Sequence, residues 1–182
     1  MRKNSGFSLL ELLTVIGTIA ILLSIGLPNL LSYRQKAQLG KATRDIYGGL
    51  QKAKMEAARH NRFCVFRVSE ITVNGTTYMY HAFCDESNPR NYVYDDGVDT
   101  FITGYRQNNY PGVSLDAGFG GGDGSTLPDV TGDPTIAFAP DGLPKDLNGN
   151  LTNGSLRFTN GGEKGQEVSV SLTGNIKITQ YR

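Results

Sequence analysis

Glu11 is the first residue whose chemistry stands out. It is the single charge in the 25 residues 7–31, FSLLELLTVIGTIAILLSIGLPNLL. A carboxylate inside an apolar span costs on the order of a few kcal/mol. It therefore acts either as half of an ion pair that awaits a cation, or as a shallow group among lipid headgroups. Cys64 and Cys84 are the only cysteines, too few for a disulfide-rich scaffold or a four-cysteine zinc site. They flank Asn74-Gly75, a strong hairpin signal, and fall opposite each other but one residue out of register. A hairpin loop one residue longer would bring them within bridging reach. Two readings stand, a cross-strand disulfide and a pair of buried thiols. His60 and His81 are the only histidines, and neither lies near a Ser or Cys motif that would make a nucleophile pair. The expectation is that the chain is not an enzyme.

Metal chemistry is weakly supported. Asp146, Asn148 and Asn150 alternate oxygen ligands as a calcium loop does, but Leu151 and Arg157 stand where that loop needs glycine and a bidentate glutamate. Asp95, Asp96 and Asp99 form a second acidic loop, and turn chemistry accounts for both. The glycine run at 118–124, GFGGGDG, lacks the strand-before and helix-after context of a phosphate loop and reads as a flexible connection. No metal and no cofactor are expected.

The elements that carry these residues follow from periodicity. The chain has 182 residues, about one domain's worth. Apolar residues concentrate in one N-terminal stretch, which excludes a multi-pass membrane protein. That stretch is long enough to cross a bilayer. It differs from a secretory signal peptide because Gly26, Leu27 and Pro28 follow it and no small-x-small cleavage site does. From 32 to 61, Leu39, Ala42, Ile46, Leu50, Ala53 and Ala57 recur at spacings of three or four, an amphipathic helix stripe suited to core packing. A helix from Phe7 to His60 would be about 80 Å long.

Charge then splits the chain. Residues 34–62 carry eight Lys or Arg and two acids; residues 63–182 carry eight Lys or Arg and fourteen acids. The basic helix face suits phosphate, from lipid or nucleic acid, or else solvent and acidic neighbours. After Asn61 short alternating runs take over at 63–68, 76–84, 135–139, 155–158, 167–172 and 176–179, separated by Gly, Asn and Asp. The fold class expected is α+β, a long N-terminal helix packed on a mostly antiparallel sheet.

The run Gly6-Phe7-Ser8-Leu9-Leu10-Glu11-Leu12-Leu13, after the short basic MRKNSG start, resembles the N-terminus of type IV pilins and type II secretion pseudopilins. The resemblance implies cleavage after Gly6 by a prepilin peptidase and N-methylation of Phe7. It implies that Glu11 pairs with the N-terminal amine of a neighbouring subunit, and that Pro28 kinks the helix. It implies a leader at 1–6, a transmembrane helix at 7–31, an amphipathic helix at 32–61 and a β-rich periplasmic domain at 62–182. Lys and Arg counts around the span would by themselves place the C-terminus in the cytoplasm, with Arg2 and Lys3 before it and Arg34, Lys36, Lys41 and Arg44 after it. The family motif is given precedence over that count.

The helix from Ala42 to Asn61 and the segments 110–115, 136–142 and 168–174 are similar to the FimT/GspH minor pilins. That implies a minor subunit of a type IV pilus, at its tip or in its priming complex. The alternatives are a GspH-like pseudopilin of a type II secretion system and a pilus-tip subunit that binds DNA for uptake. The partners implied are major and minor pilins, the prepilin peptidase, the inner-membrane assembly platform and inner-membrane lipid before assembly. DNA is disfavoured. The DNA-binding relatives use a Gly-Arg-x-Arg motif, and the matching Gly174-Asn175-Ile176-Lys177 has Asn and Lys in place of both arginines. Lys177 and Arg182, with Arg157 beside them, are the contacts a DNA reading would use.

Overall fold

The computed structural model describes residues 8–117, 135–146, 149–161 and 165–181, with backbone alone at 27–29, 31, 116 and 117. The chain forms two compact units, Met1–Ala37 and Gln38–Arg182. One helix, α1 (Leu9–His60), contributes to both.

In the first unit α1 begins at a cap. Ser8 Oγ accepts the Glu11 backbone N–H at 3.2 Å, and Ser8 O accepts the N–H groups of Glu11 and Leu12. Ser8 and Glu11 thus form the S-x-x-E pattern that starts helices, with the acid at the positive end of the helix dipole. The window Leu9–Gly26 is long and apolar enough to cross a membrane, and none of it is buried within the protein. Its hydroxyls do not demand a partner. Thr14 donates to Glu11 O, Thr18 to Thr14 O and Ser24 to Ile21 O, all inside the helix.

In the second unit the predicted stripe is the inner face of α1. Leu39, Ala42, Ile46, Leu50, Ala53 and Ala57 are all buried. They pack against two antiparallel sheets where one was expected. The five-stranded sheet has the order β3 (Thr100–Tyr105), β2 (Thr76–Asp85), β1 (Phe63–Val73), β5 (Thr135–Phe138), β6 (Pro144–Lys145). The four-stranded sheet has the order β4 (Ser114–Ala117), β7 (Gly154–Thr159), β8 (Gly165–Val170), β9 (Ile176–Tyr181). The class is α+β, as the sequence implied.

Local chemistry sets the turns. Asn61 takes a left-handed φ of 53° at the end of α1, so that Arg62 N–H reaches back to Ala57 O at 3.1 Å. This is a helix stop with asparagine in the position usually held by glycine. Asn74 and Gly75 both have positive φ, 49° and 72°, and join β1 to β2 as a two-residue turn.

The two sheets differ in how they are covered. β7 alternates, with Leu156 and Phe158 inward and Arg157 outward, as a sheet with one solvated face should. Residues 64–68 of β1 are buried without alternation. Their second face carries its own small core of Val65, Phe83, Tyr92 and Ala137, with Phe63 and Tyr94 packed against it. Tyr92 and Tyr94 come from the loop between β2 and β3, so that loop roofs the sheet.

Burial raises the phenol pKa of Tyr80, Tyr92 and Tyr105 above the ordinary value, and of Tyr110 still further. The carboxylate of Asp45, which accepts the Tyr110 hydroxyl at 3.1 Å, adds to that last rise. In the unfolded chain these phenols ionise near their ordinary value, so the unfolded state binds fewer protons in alkali. Stability is then complete below about pH 10 and falls as pH rises beyond it. Ionisation of these four phenols is expected to appear together with loss of the β-sheet circular dichroism signal rather than ahead of it, followed as the tyrosinate absorbance lost on substituting each by Phe.

Candidate functional site

The residues singled out by sequence fall into three places. Glu11 lies in the first turn of α1, exposed and three residues after the Ser8 cap. Gly6 and Phe7 precede it and lie outside the described residues. Pro28 falls within α1, and its side chain is outside the description.

The second place is the β1–β2 hairpin. Cys64 and Cys84 are direct cross-strand partners, with Cα atoms 3.9 Å apart and sulfurs at bonding distance, 1.93 Å. The register needed for this comes from a bulge and not from a longer loop. Ile71 faces Tyr78, but Val68 faces Tyr80, so β1 spends one extra residue at Ser69–Glu70. A bridge across a 20-residue separation stabilises by about 3 kcal/mol if the chain-entropy account holds. Reduction, or the double substitution Cys64→Ala with Cys84→Ala, is expected to lower unfolding stability by that amount in a denaturant titration. The midpoint should fall and the denaturant slope rise, because the unfolded chain without the bridge is less compact.

The third place is the end of the second sheet. Lys177 is exposed on β9, opposite Ser169. Arg157 sits 5.5 Å over the Tyr181 ring and 3.6 Å from the Glu167 carboxylate. Glu167, on the strand between those of Arg157 and Lys177, reduces the local positive potential. Arg182 lies outside the described residues. Gly174, the glycine of the motif position, has a structural use. A Cβ on it would lie 2.5 Å from Gly142 O, and its own carbonyl accepts Lys54 Nζ at 2.8 Å. Lys54 thereby ties α1 to the turn before β9.

The remaining candidates are occupied in place. His60 Nε2 lies 3.0 Å from Glu56 on the last turns of α1. His81 is fully buried and stacks on Phe83 at 5.7 Å. Asp146 accepts Asn150 N–H at 2.7 Å and caps its own turn, while 147–148 are outside the described residues, as is 118–124. Asp99 accepts the backbone N–H groups of Glu86 and Asp95, each at 2.8 Å. Burial raises its carboxyl pKa, against those two bonds. Among the described residues no three His, Cys, Asp or Glu side chains are placed to share a metal ion.

Sequence reasoning missed Ser8, Lys54 and Asp85. Ser8 was legible from the S-x-x-E spacing. Lys54 acts on Gly174, which only the tertiary fold brings near it, and Asp85 acts on Ser87, Asn91 and Tyr92 of the loop that follows it.

Comparison with known proteins gives a consistent picture. The family model described as type II transport protein GspH matches residues 42–174. The pilin-like protein PilA1 of Thermus thermophilus is 32% identical over 174 residues, which is 95% of this chain and 97% of that protein. The type II secretion system core protein G of Vibrio cholerae is 48% identical over 46 residues, 25% of this chain and 32% of that protein. Among solved structures, the type IV minor pilin FimU of Pseudomonas aeruginosa aligns with 81% of this chain and 92% of its own, at 13% identity and a TM-score of 0.46.

Proposed function

We propose a place in a filament for this chain, which belongs to the GspH family of type II transport proteins and is a minor pilin or pseudopilin. Its partners are other pilin subunits. In the proposed path the prepilin peptidase removes residues 1–6, and Phe7 becomes an N-methylated N-terminus. The segment Leu9–Gly26 waits in the inner membrane, with the domain from 62 to 182 in the periplasm. The assembly platform then lifts the subunit into a type IV pilus, at the tip or in the priming complex.

The observation that carries this reading is the first unit. Its 18-residue apolar window is exposed throughout, about 27 Å of helix with no protein cover of its own. Lipid suits that surface before assembly and neighbouring apolar helices suit it afterwards. Cleavage would create an amine at the N-terminal end of α1, where the helix dipole is already positive. A carboxylate is needed there, and Glu11 of the neighbouring subunit is the one proposed.

The pilus is favoured because the likeness to a pilin-like protein runs the whole length, whereas protein G is matched over 46 residues. The family's own description supports the second reading, a pseudopilus of type II secretion. A strain lacking the gene separates them. Loss of sheared surface pili, restored by the gene in trans, supports pilus priming. Unchanged pili with a depleted secreted proteome would move the chain to the pseudopilus. DNA uptake is disfavoured by Asn175 and Lys177 in place of two arginines and by the acid beside Arg157.

A further inference from the structure

A cleft of about 660 Å³ opens where α1 hands over to β1, between the helix end and the loop after β2. Arg62, Phe63, Glu86, Ser87, Asn88 and Arg90 line it. Neither the disulfide nor the exposed helix uses it.

Among the described residues the cations around the cleft are paired except one. Arg59 and His60 share Glu56, at 3.6 and 3.0 Å. Arg62 is held by Glu86, which Thr100 also hydrogen-bonds at 2.7 Å. Those contacts hold the Glu86 carboxyl below its ordinary pKa, so the pair is charged at neutral pH. Arg90 is different. Its guanidinium carbon lies 3.9 Å over the Phe63 ring centre, and among the described residues it has no carboxylate partner. Stacking occupies the flat face of a guanidinium and leaves the N–H groups in its plane free to donate.

The loop that presents Arg90 is built to hold still. Asp85, buried, accepts the N–H groups of Ser87 (3.0 Å), Asn91 (3.2 Å) and Tyr92 (2.8 Å), and the Ser87 hydroxyl. Beneath it Arg67, also buried, donates to Tyr92 O at 3.0 Å. An arginine fixed by a ring below and by a pinned loop on one side loses little freedom when it binds.

We infer that this cleft receives an acidic side chain of a neighbouring pilin subunit, taken by the free fork of Arg90. The inference rests on the filament reading above. A planar carboxylate matches the guanidinium fork two bonds to two. A single unpaired cation next to Glu86 suits one carboxylate and offers too little positive charge to hold a polyanion, which disfavours nucleic acid and anionic lipid surfaces. The domain of this chain itself carries such groups in excess, with fourteen acids against eight bases in residues 63–182.

The test is site-directed photocrosslinking of the full chain in cells that assemble the filament. A benzoylphenylalanine probe is placed at Asn88 and, separately, at Ile16 in the apolar segment. The expected result is an adduct from Asn88 to a second pilin subunit, through a peptide that contains Asp or Glu. Arg90→Gln should lower its yield at least tenfold, while the Ile16 adduct and the melting temperature stay unchanged. Arg90→Lys, which keeps the charge without the fork, should restore part of the yield. An Ile16 adduct to a pilin with no Asn88 adduct, or with one indifferent to Arg90→Gln, overturns the inference and leaves the filament reading standing. An Asn88 adduct to lipid, glycan or nucleic acid overturns it too. Failure of both probes to capture a pilin overturns the filament reading, and the inference falls with it.

Discussion

The Glu11→Ala chain is expected to accumulate in the membrane and to fall at least tenfold in sheared filaments. The argument begins with the one charge in residues 7–31. Glu11 stands in the first turn of α1, and the helix can start without its side chain, because the Ser8 hydroxyl already accepts the Glu11 backbone N–H. What the alanine removes is a counter-charge. If the new N-terminal amine of Phe7 enters an apolar helix bundle, leaving it unpaired costs about 3–5 kcal/mol. Such a cost exceeds the tenfold loss by a wide margin, since about 1.4 kcal/mol is a factor of ten. Glu11→Gln should fail nearly as badly, because an amide keeps the shape and loses the charge. Quantitative immunoblots of the shear fraction and the membrane fraction check this. Equal incorporation of Glu11→Ala would assign Glu11 to helix capping alone.

Asp85→Ala is expected to cost about 4 kcal/mol of folding stability, the largest loss foreseen for a single polar residue of the second unit. The carboxylate is buried and accepts from three backbone N–H groups and one hydroxyl. Truncation leaves those donors without their acceptor, the Tyr92 N–H in a buried place and the others partly buried. Each such loss is worth about 1–3 kcal/mol, and relaxation of the loop recovers part of the sum. Tyr92, whose N–H is one of the four donors, belongs to the small core on the outer face of the first sheet. Disorder in the loop should therefore spread to Val65 and Phe83. At about 2–4 °C per kcal/mol the melting temperature should drop by about 10 °C. Asp85→Asn, which keeps one acceptor oxygen, should lose about half as much. Amide hydrogen exchange should quicken first at Ser87, Asn91 and Tyr92.

Much of the fold was legible because it follows from short-range rules. The stripe from Leu39 to Ala57 needed only the helical period, and all six residues are buried. Asn74-Gly75 needed only turn chemistry, and the hairpin forms there. The two-sheet arrangement was not legible. Strand β3 reads TFITGY, and its place beside β2 depends on long-range pairing of Ala82 with Thr103 and Phe83 with Phe101. The bulge after Val68 was equally hidden, since it reflects how β1 meets β2 and β5 together. The motif at the N-terminus was plain from residue types because it is linear chemistry: a small residue, an aromatic, an acid and an apolar span. Asp85 and Arg90 were invisible for the opposite reason. Their roles depend on how the loop from Asp85 to Tyr92 folds back on itself and on Phe63 and Arg67, which come from β1.

The account stands most directly on the state of the N-terminus in the assembled form. Filaments are sheared from cells, and this chain is recovered from them for intact-mass and N-terminal peptide mass spectrometry. The predicted result is a chain that lacks residues 1–6 and begins with N-methylated Phe7. A chain that keeps Met1 to Gly6, found in the membrane fraction and absent from sheared filaments, would contradict the account.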